Sequence, residues 1–210
     1  MRELLSELRE KENDVDILLK HIKEYDMDYV EITAILKSSF ILLLYNLIES
    51  TTCSCLEKIH QESSCYEYSC LSDKIRSVCE KYYFWKVENE KRKNSIQEKL
   101  NSGEFRMPPF RNYRKKLKGK AISGNIGAEK LKEIAQSYGV DLVDLVLYEN
   151  DIFMVLTKRN DLAHGKYSFQ GSCRQLTFRT ISSIKDSVIA AMQELVESTI
   201  YFLDQKQYLK

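Results

Sequence analysis

Only 7 glycines and 2 prolines occur in 210 residues. So few turn-formers argue against a sandwich or barrel of many short strands and favour long helices. Long hydrophobic runs are also missing. The longest, "FILLLYNLI" at 40–48, is too short to cross a bilayer. The opening "MRELLSELREKEND" is charged throughout and lacks the apolar stretch of a secretion signal. Both absences read as a cytoplasmic chain with no membrane role. Net charge is nearly absent at +1, although that figure averages over segments of opposite sign. Cysteine is not scarce, but Cys53, Cys55, Cys65 and Cys70 are separated by gaps of one, nine and four intervening residues. Zinc sites favour Cys-x-x-Cys pairs, so no metal and no cofactor is expected. Cytosolic thiols stay reduced, which argues against a disulfide framework.

What remains is helical periodicity. Leu4, Leu5, Leu8, Val15, Leu18, Leu19 and Ile22 give an acidic amphipathic helix over 2–24. A second helix over 28–60 is apolar on nearly all sides at its centre, which suits the middle of a bundle. Periodicity fades near 61–71, where serines collect. Ser72 is placed to cap a third helix reaching toward Leu100. A short helix begins near Ala128, with Asn125 as its cap and Gly139 as its left-handed C-terminal stop. Residues 142–163 carry one helix or two, ended by Gly165, and 180–206 carry the last. The expected fold is an all-α helical bundle forming one domain over 1–210.

One segment breaks this pattern. Residues 101–125 hold both prolines and three of the glycines, and read as a long irregular stretch of the kind that is usually functional or mobile. From Lys86 to Lys120 there are twelve Lys and Arg against four Glu, an excess of eight positive charges. The region 86–125 reads as a basic insertion. Arg111, Arg114, Lys115 and Lys116, interleaved with Phe105, Phe110 and Tyr113, could follow a phosphate backbone and stack on bases. The bland alternative is a solvated, solubilising loop.

The second notable stretch is "LTKRNDLAHGKYSF", 156–169. Of 3 histidines, only His164 has an arginine nearby, and Lys158, Arg159, Asn160 and Lys166 surround it. His21 and His60 lie in polar, helix-like surroundings and read as incidental. A histidine at a helix end followed by glycine also has a plain structural reading, because it suits the macrodipole and the cap. The chemistry of the cluster is nonetheless that of RNA cleavage. A group that exchanges protons near neutral pH sits beside cations that can hold a phosphate as charge builds on it.

"KRNDLAHGKYSF" resembles the signature of the HEPN superfamily: an arginine, a polar residue after it, and a histidine four to six positions from the arginine. Arg159, Asn160 and His164 match those positions. "LYNLIES" (44–50), "GNIGAEKLKEIAQSYG" (124–139) and "HGKYSF" extend the likeness to one bacterial branch of stand-alone domains. The resemblance implies a helical bundle and a homodimer whose motifs face each other in a composite active site. It also implies a metal-independent endoribonuclease of toxin or phage-defence type, leaving a 2′,3′-cyclic phosphate, with an antitoxin or defence-system protein as a further partner. Arg159, Asn160 and His164 are then catalytic, and Lys158 and Lys166 join the basic segment in holding RNA. A non-catalytic HEPN module that binds RNA or a protein is the alternative. One toxin branch is inhibited by nucleotidylation of a tyrosine two residues after the histidine; here Tyr167 stands at three. Asn46 and Glu49 share one face at the end of an apolar run. They are either supports that orient Arg159 or His164, or partners in an ordinary interhelical bond.

Overall fold

A computed structural model describes residues 2–25, 30–117 and 125–210. Among these, no strand forms, and nine α-helices follow one another: α1 Arg2–Tyr25, α2 Val30–Ser64, α3 Asp73–Tyr83, α4 Glu90–Asn101, α5 Phe110–Leu117, α6 Ala128–Tyr138, α7 Glu149–Ala163, α8 Phe169–Ser172 and α9 Phe178–Asp204. Two 3₁₀ turns, Tyr68–Cys70 and Asp144–Tyr148, precede α3 and α7. The chain is the all-α bundle expected.

α2 is the axis of the bundle. Its Phe40, Ile41, Leu44, Tyr45, Leu47, Ile48, Leu56 and Ile59 are buried, and α1, α5, α7, α8 and α9 all pack on it. At 35 residues it is far longer than the apolar run inside it, and by length and composition alone it could cross a membrane. From Phe40 to Ile59 most of its apolar side chains are instead buried against other helices, while Val30, Ile32 and Ile35 near its start are exposed. α9 presents the matching stripe: Ile181, Ile184, Val188, Ala191, Leu195 and Phe202, spaced three, four or seven apart as one helical face requires, with Met192 and Val196 widening it.

The local signals act unevenly. Gly139 has φ +87 and closes α6, donating its N–H to Gln136 O while Val140 N–H reaches Ala135 O. That is the double bond of a glycine C-terminal cap. Ser72 stands at the start of α3, yet its hydroxyl makes no capping bond. The residue before α6 is Gly127, not Asn125. An added Cβ at Gly127 would approach Leu156 Cδ2 of α7 to 3.0 Å, so a larger residue there would require the leucine side chain to shift.

The helix expected to run on to Leu100 divides in two. α3 stops at Tyr83 and α4 begins at Glu90. Between them Lys86 takes φ 58, while Phe84, Trp85 and Val87 pack on the core. Downstream, the basic segment alternates between turn and helix. Residues 102–109 are non-helical, and then α5 buries Phe110, Tyr113 and Leu117. Lys118, Lys120 and the rest of 118–124 lie outside the described residues.

Candidate active site

α7 ends in a built turn. His164 N–H donates to Asn160 O at 3.0 Å, Gly165 N–H to Leu162 O at 3.1 Å and Lys166 N–H to Asp161 O at 2.9 Å. With Gly165 at φ +64, this pairing satisfies the last carbonyls of the helix. The backbone of His164 is thereby fixed, while the residue itself is exposed. Phe153, Thr157, Asn160 and His164 follow at steps of four, three and four, so they form one stripe along the outer side of α7.

Arg159 faces the other way, toward α2. Its guanidinium lies 4.6 Å from the centroid of the Tyr45 ring, and its Nη1 donates to Asn160 Oδ1 at 2.9 Å. Stacking uses none of the five N–H donors of arginine, so most of the fork is left for a ligand. Among the described residues no carboxylate pairs with it. Asn160 thus bonds Arg159 through its side chain and His164 through its carbonyl.

Tyr45 was not among the residues singled out by the sequence. It is 2 % exposed, and its hydroxyl accepts from Ile126 N–H at 3.2 Å. Burial pushes its phenol above the ordinary value, and the adjoining Arg159 and Arg114 only partly offset this. The ring is therefore a neutral, fixed surface beneath a cation.

One turn further along α2, Glu49 Oε1 accepts from Arg114 Nη2 at 2.6 Å, and Arg114 Nη1 donates to Cys53 Sγ at 3.5 Å. Glu49 therefore ties α5 to α2, and its bond goes to Arg114, not to Arg159 or His164. Asn46 is exposed. Tyr45 and Glu49 are four residues apart, about 6 Å along the helix axis, and each holds one arginine. This brings the basic segment and the motif, far apart in sequence, to the same side of α2.

The four cations singled out in 110–117 are not equivalent. Arg111 and Lys115 are exposed and line a depression of about 420 Å³ with Arg114, Cys53, Glu57 and Phe110. Lys116 Nζ sits 4.2 Å from the centroid of Tyr82, and burial lowers its pKa, with Arg92 adding to the effect. Near the motif, Lys158 Nζ donates to Ser172 O at 2.9 Å. Lys166 pairs with Asp161 at 3.1 Å, a hydrogen bond that raises its pKa.

His60 is a correction to the sequence reading. It is 1 % exposed and ringed by Phe110, Tyr113 and Tyr138. Its Nδ1 is 2.7 Å from Pro108 O and its Nε2 is 2.7 Å from Tyr138 Oη. A carbonyl can only accept, so Nδ1 carries the proton and Tyr138 donates to Nε2. Burial lowers its pKa to about 4. This neutral histidine staples α2 to α6 and to the start of α5. His21 is exposed and pairs with Glu24. Among the described residues no three His, Cys, Asp or Glu side chains converge as a metal site would need.

A family model described as MAE_28990-like HEPN matches residues 1–208. Neither the curated proteins nor the solved structures provide a match.

Proposed function

The chain belongs to the MAE_28990-like HEPN family, and from that membership we propose that it is a metal-independent endoribonuclease of toxin or phage-defence type acting in the cytoplasm. A nuclease or RNA-related role is what the family suggests at a coarse level. The observation that supports the finer reading is the pairing of two arginines along α2 beside an exposed histidine.

The reaction needs no group beyond the substrate and these side chains. The ribose 2′-oxygen attacks the adjacent phosphorus as its proton leaves. The bond from phosphorus to the 5′-oxygen breaks, and that oxygen takes up a proton. A 2′,3′-cyclic phosphate and a 5′-hydroxyl result. His164 exchanges one of these protons. Arg159 holds the non-bridging oxygens, where negative charge grows, with the donors that stacking leaves free. Asn160 fixes the Arg159 fork through the 2.9 Å bond. Lys166, Arg111, Arg114 and Lys115 hold neighbouring phosphates, and Lys158 contacts the RNA beside them.

One histidine cannot serve at once as base and acid, and a homodimer supplies two. Val143, Val146, Leu147 and Phe153 are 79, 61, 71 and 65 % exposed, on the 3₁₀ turn and first half of α7. Exposed apolar residues of this kind, close together in the chain, suit an interaction surface. Phe153 shares the α7 stripe with Asn160 and His164, so a twofold contact there supports a composite site. An antitoxin or defence-system protein is proposed as the partner that restrains it.

The test is expression in bacteria of the wild type beside His164→Ala. Growth arrest with RNA breakdown from the wild type alone supports the proposal. Equal growth with intact RNA in both, at equal protein level, contradicts it.

A further inference from the structure

Tyr167 stands three residues beyond His164 and is 47 % exposed, yet its backbone is held on both sides. The glycine cap of α7 precedes it. Ser168 follows as the N-cap of α8, its Oγ accepting from Gly171 N–H at 3.1 Å. Two ammonium groups flank the ring, Lys158 Nζ at 5.9 Å and Lys166 Nζ at 5.4 Å from its centroid. Each has one anchor, Ser172 O or Asp161, and keeps further N–H donors free.

Beside the ring is a pocket of about 210 Å³ lined by Lys158, Tyr167, Gly171, Ser172, Gln175 and Leu176. That is below the roughly 300–1,000 Å³ of sites that take drug-sized molecules, and it suits one planar base. Three residues of chain reach at most about 10 Å, so the backbone of Tyr167, which lines the pocket, is near that of His164.

We propose that this pocket is a subsite for one purine base of the RNA, stacked on Tyr167, with its N7 accepting from Lys158 and its edge read by the Gln175 amide; the proposal rests on the ribonuclease reading above. Stacking on a fixed aromatic is sequence-tolerant and strongest for large bases. N7 is an acceptor that both purines carry on this edge, and lysine and glutamine are its usual donors.

The probes are four-nucleotide RNAs with 2′-O-methyl groups, which cannot be cut by 2′-oxygen attack, so binding is read apart from cleavage. The wild type should bind the adenine oligomer about tenfold more tightly than the uracil oligomer, within the range that stacking of one base supplies. Tyr167→Phe should keep that ratio. Tyr167→Ala should bring it close to one, and 7-deaza-adenine, which lacks N7, should lose part of it. In unmodified mixed-sequence RNA the wild type should cut beside purines. Equal affinity for the two oligomers, or a ratio unchanged in Tyr167→Ala, overturns the subsite. Cleavage with no base preference does the same while leaving the ribonuclease reading intact. A purine ratio that depends on Tyr167, with no cleavage of any RNA, upholds the subsite and ends the ribonuclease reading.

Discussion

Tyr45→Leu and Tyr45→Phe separate two jobs that one side chain performs. Leucine removes the ring under Arg159 and the hydroxyl that accepts from Ile126 N–H; phenylalanine removes only the hydroxyl. A cation over an aromatic face contributes about 0.5–2 kcal/mol, and at about 1.4 kcal/mol per factor of ten this is roughly 2- to 30-fold in rate. Because the Tyr45 ring is buried and the guanidinium lies at 4.6 Å, the upper part of that range is expected. Tyr45→Leu should therefore lower kcat/KM for RNA by roughly tenfold or more. Tyr45→Phe should cleave almost as the wild type does. It should be less stable, because Ile126 N–H is left buried without a partner, at a cost of about 1–3 kcal/mol. The assay is kcat/KM on one RNA, beside thermal melting for all three proteins. A double-mutant cycle with Arg159→Lys completes it: if the ring acts through Arg159, the loss from Arg159→Lys shrinks once leucine is present. Full activity in Tyr45→Leu, or an equal loss in both variants, refutes the reasoning.

Three further outcomes are expected. Changing Arg111 and Lys115 to glutamine should weaken RNA binding and flatten its log–log salt dependence by up to about 0.7 for each phosphate no longer neutralised; the same change at Lys116, whose ammonium rests on Tyr82, should do less, and an unchanged slope in the first variant would make this segment a solubility feature. His60 has a folded pKa of about 4, below its unfolded value of 6.5. The unfolded chain therefore takes up the proton first: stability from the neutral ring is fully present above about pH 6.5 and is lost as pH falls toward 4. A shift of that size corresponds to about 3 kcal/mol, and denaturant titrations at pH 7 and pH 4.5 should show a loss that His60→Gln reduces; an identical loss in that variant would exclude His60 as its source. The proposed homodimer should form in the wild type and be lost in Phe153→Glu by light scattering, with cleavage falling alongside, whereas a Phe153→Glu dimer of unchanged affinity would place the twofold interface elsewhere.

How much of this the sequence displays depends on the distance between partners. Helix positions follow from local periodicity, and Gly139 and Gly165 take the left-handed caps that their places announce. The break at Phe84–Asn89 carries no glycine or proline signal. It is imposed by Phe84, Trp85 and Val87 turning onto the core, and packing of that kind overrides propensity. The motif itself is legible because Arg159, Asn160 and His164 sit within six residues. Tyr45 is not, since a tyrosine in an apolar run reads as core and its cation comes from another helix. Glu49 finds Arg114 65 residues away. His60 finds Pro108 and Tyr138 48 and 78 residues away, so polar neighbours in sequence misrepresent a site that is apolar in space.

The claim that carries the rest is that His164 and Arg159 cut RNA by way of its own 2′-hydroxyl. The most direct measurement is incubation of purified protein with RNA in excess EDTA, followed by analysis of both ends at the cut. General acid–base catalysis contributes about 10²–10⁴-fold. The wild type should leave 2′,3′-cyclic phosphate and 5′-hydroxyl ends in EDTA, while His164→Ala and Arg159→Lys, both folded, should leave the RNA nearly intact. Intact RNA with the wild type in EDTA, or products ending in a 3′-hydroxyl, would contradict the mechanism.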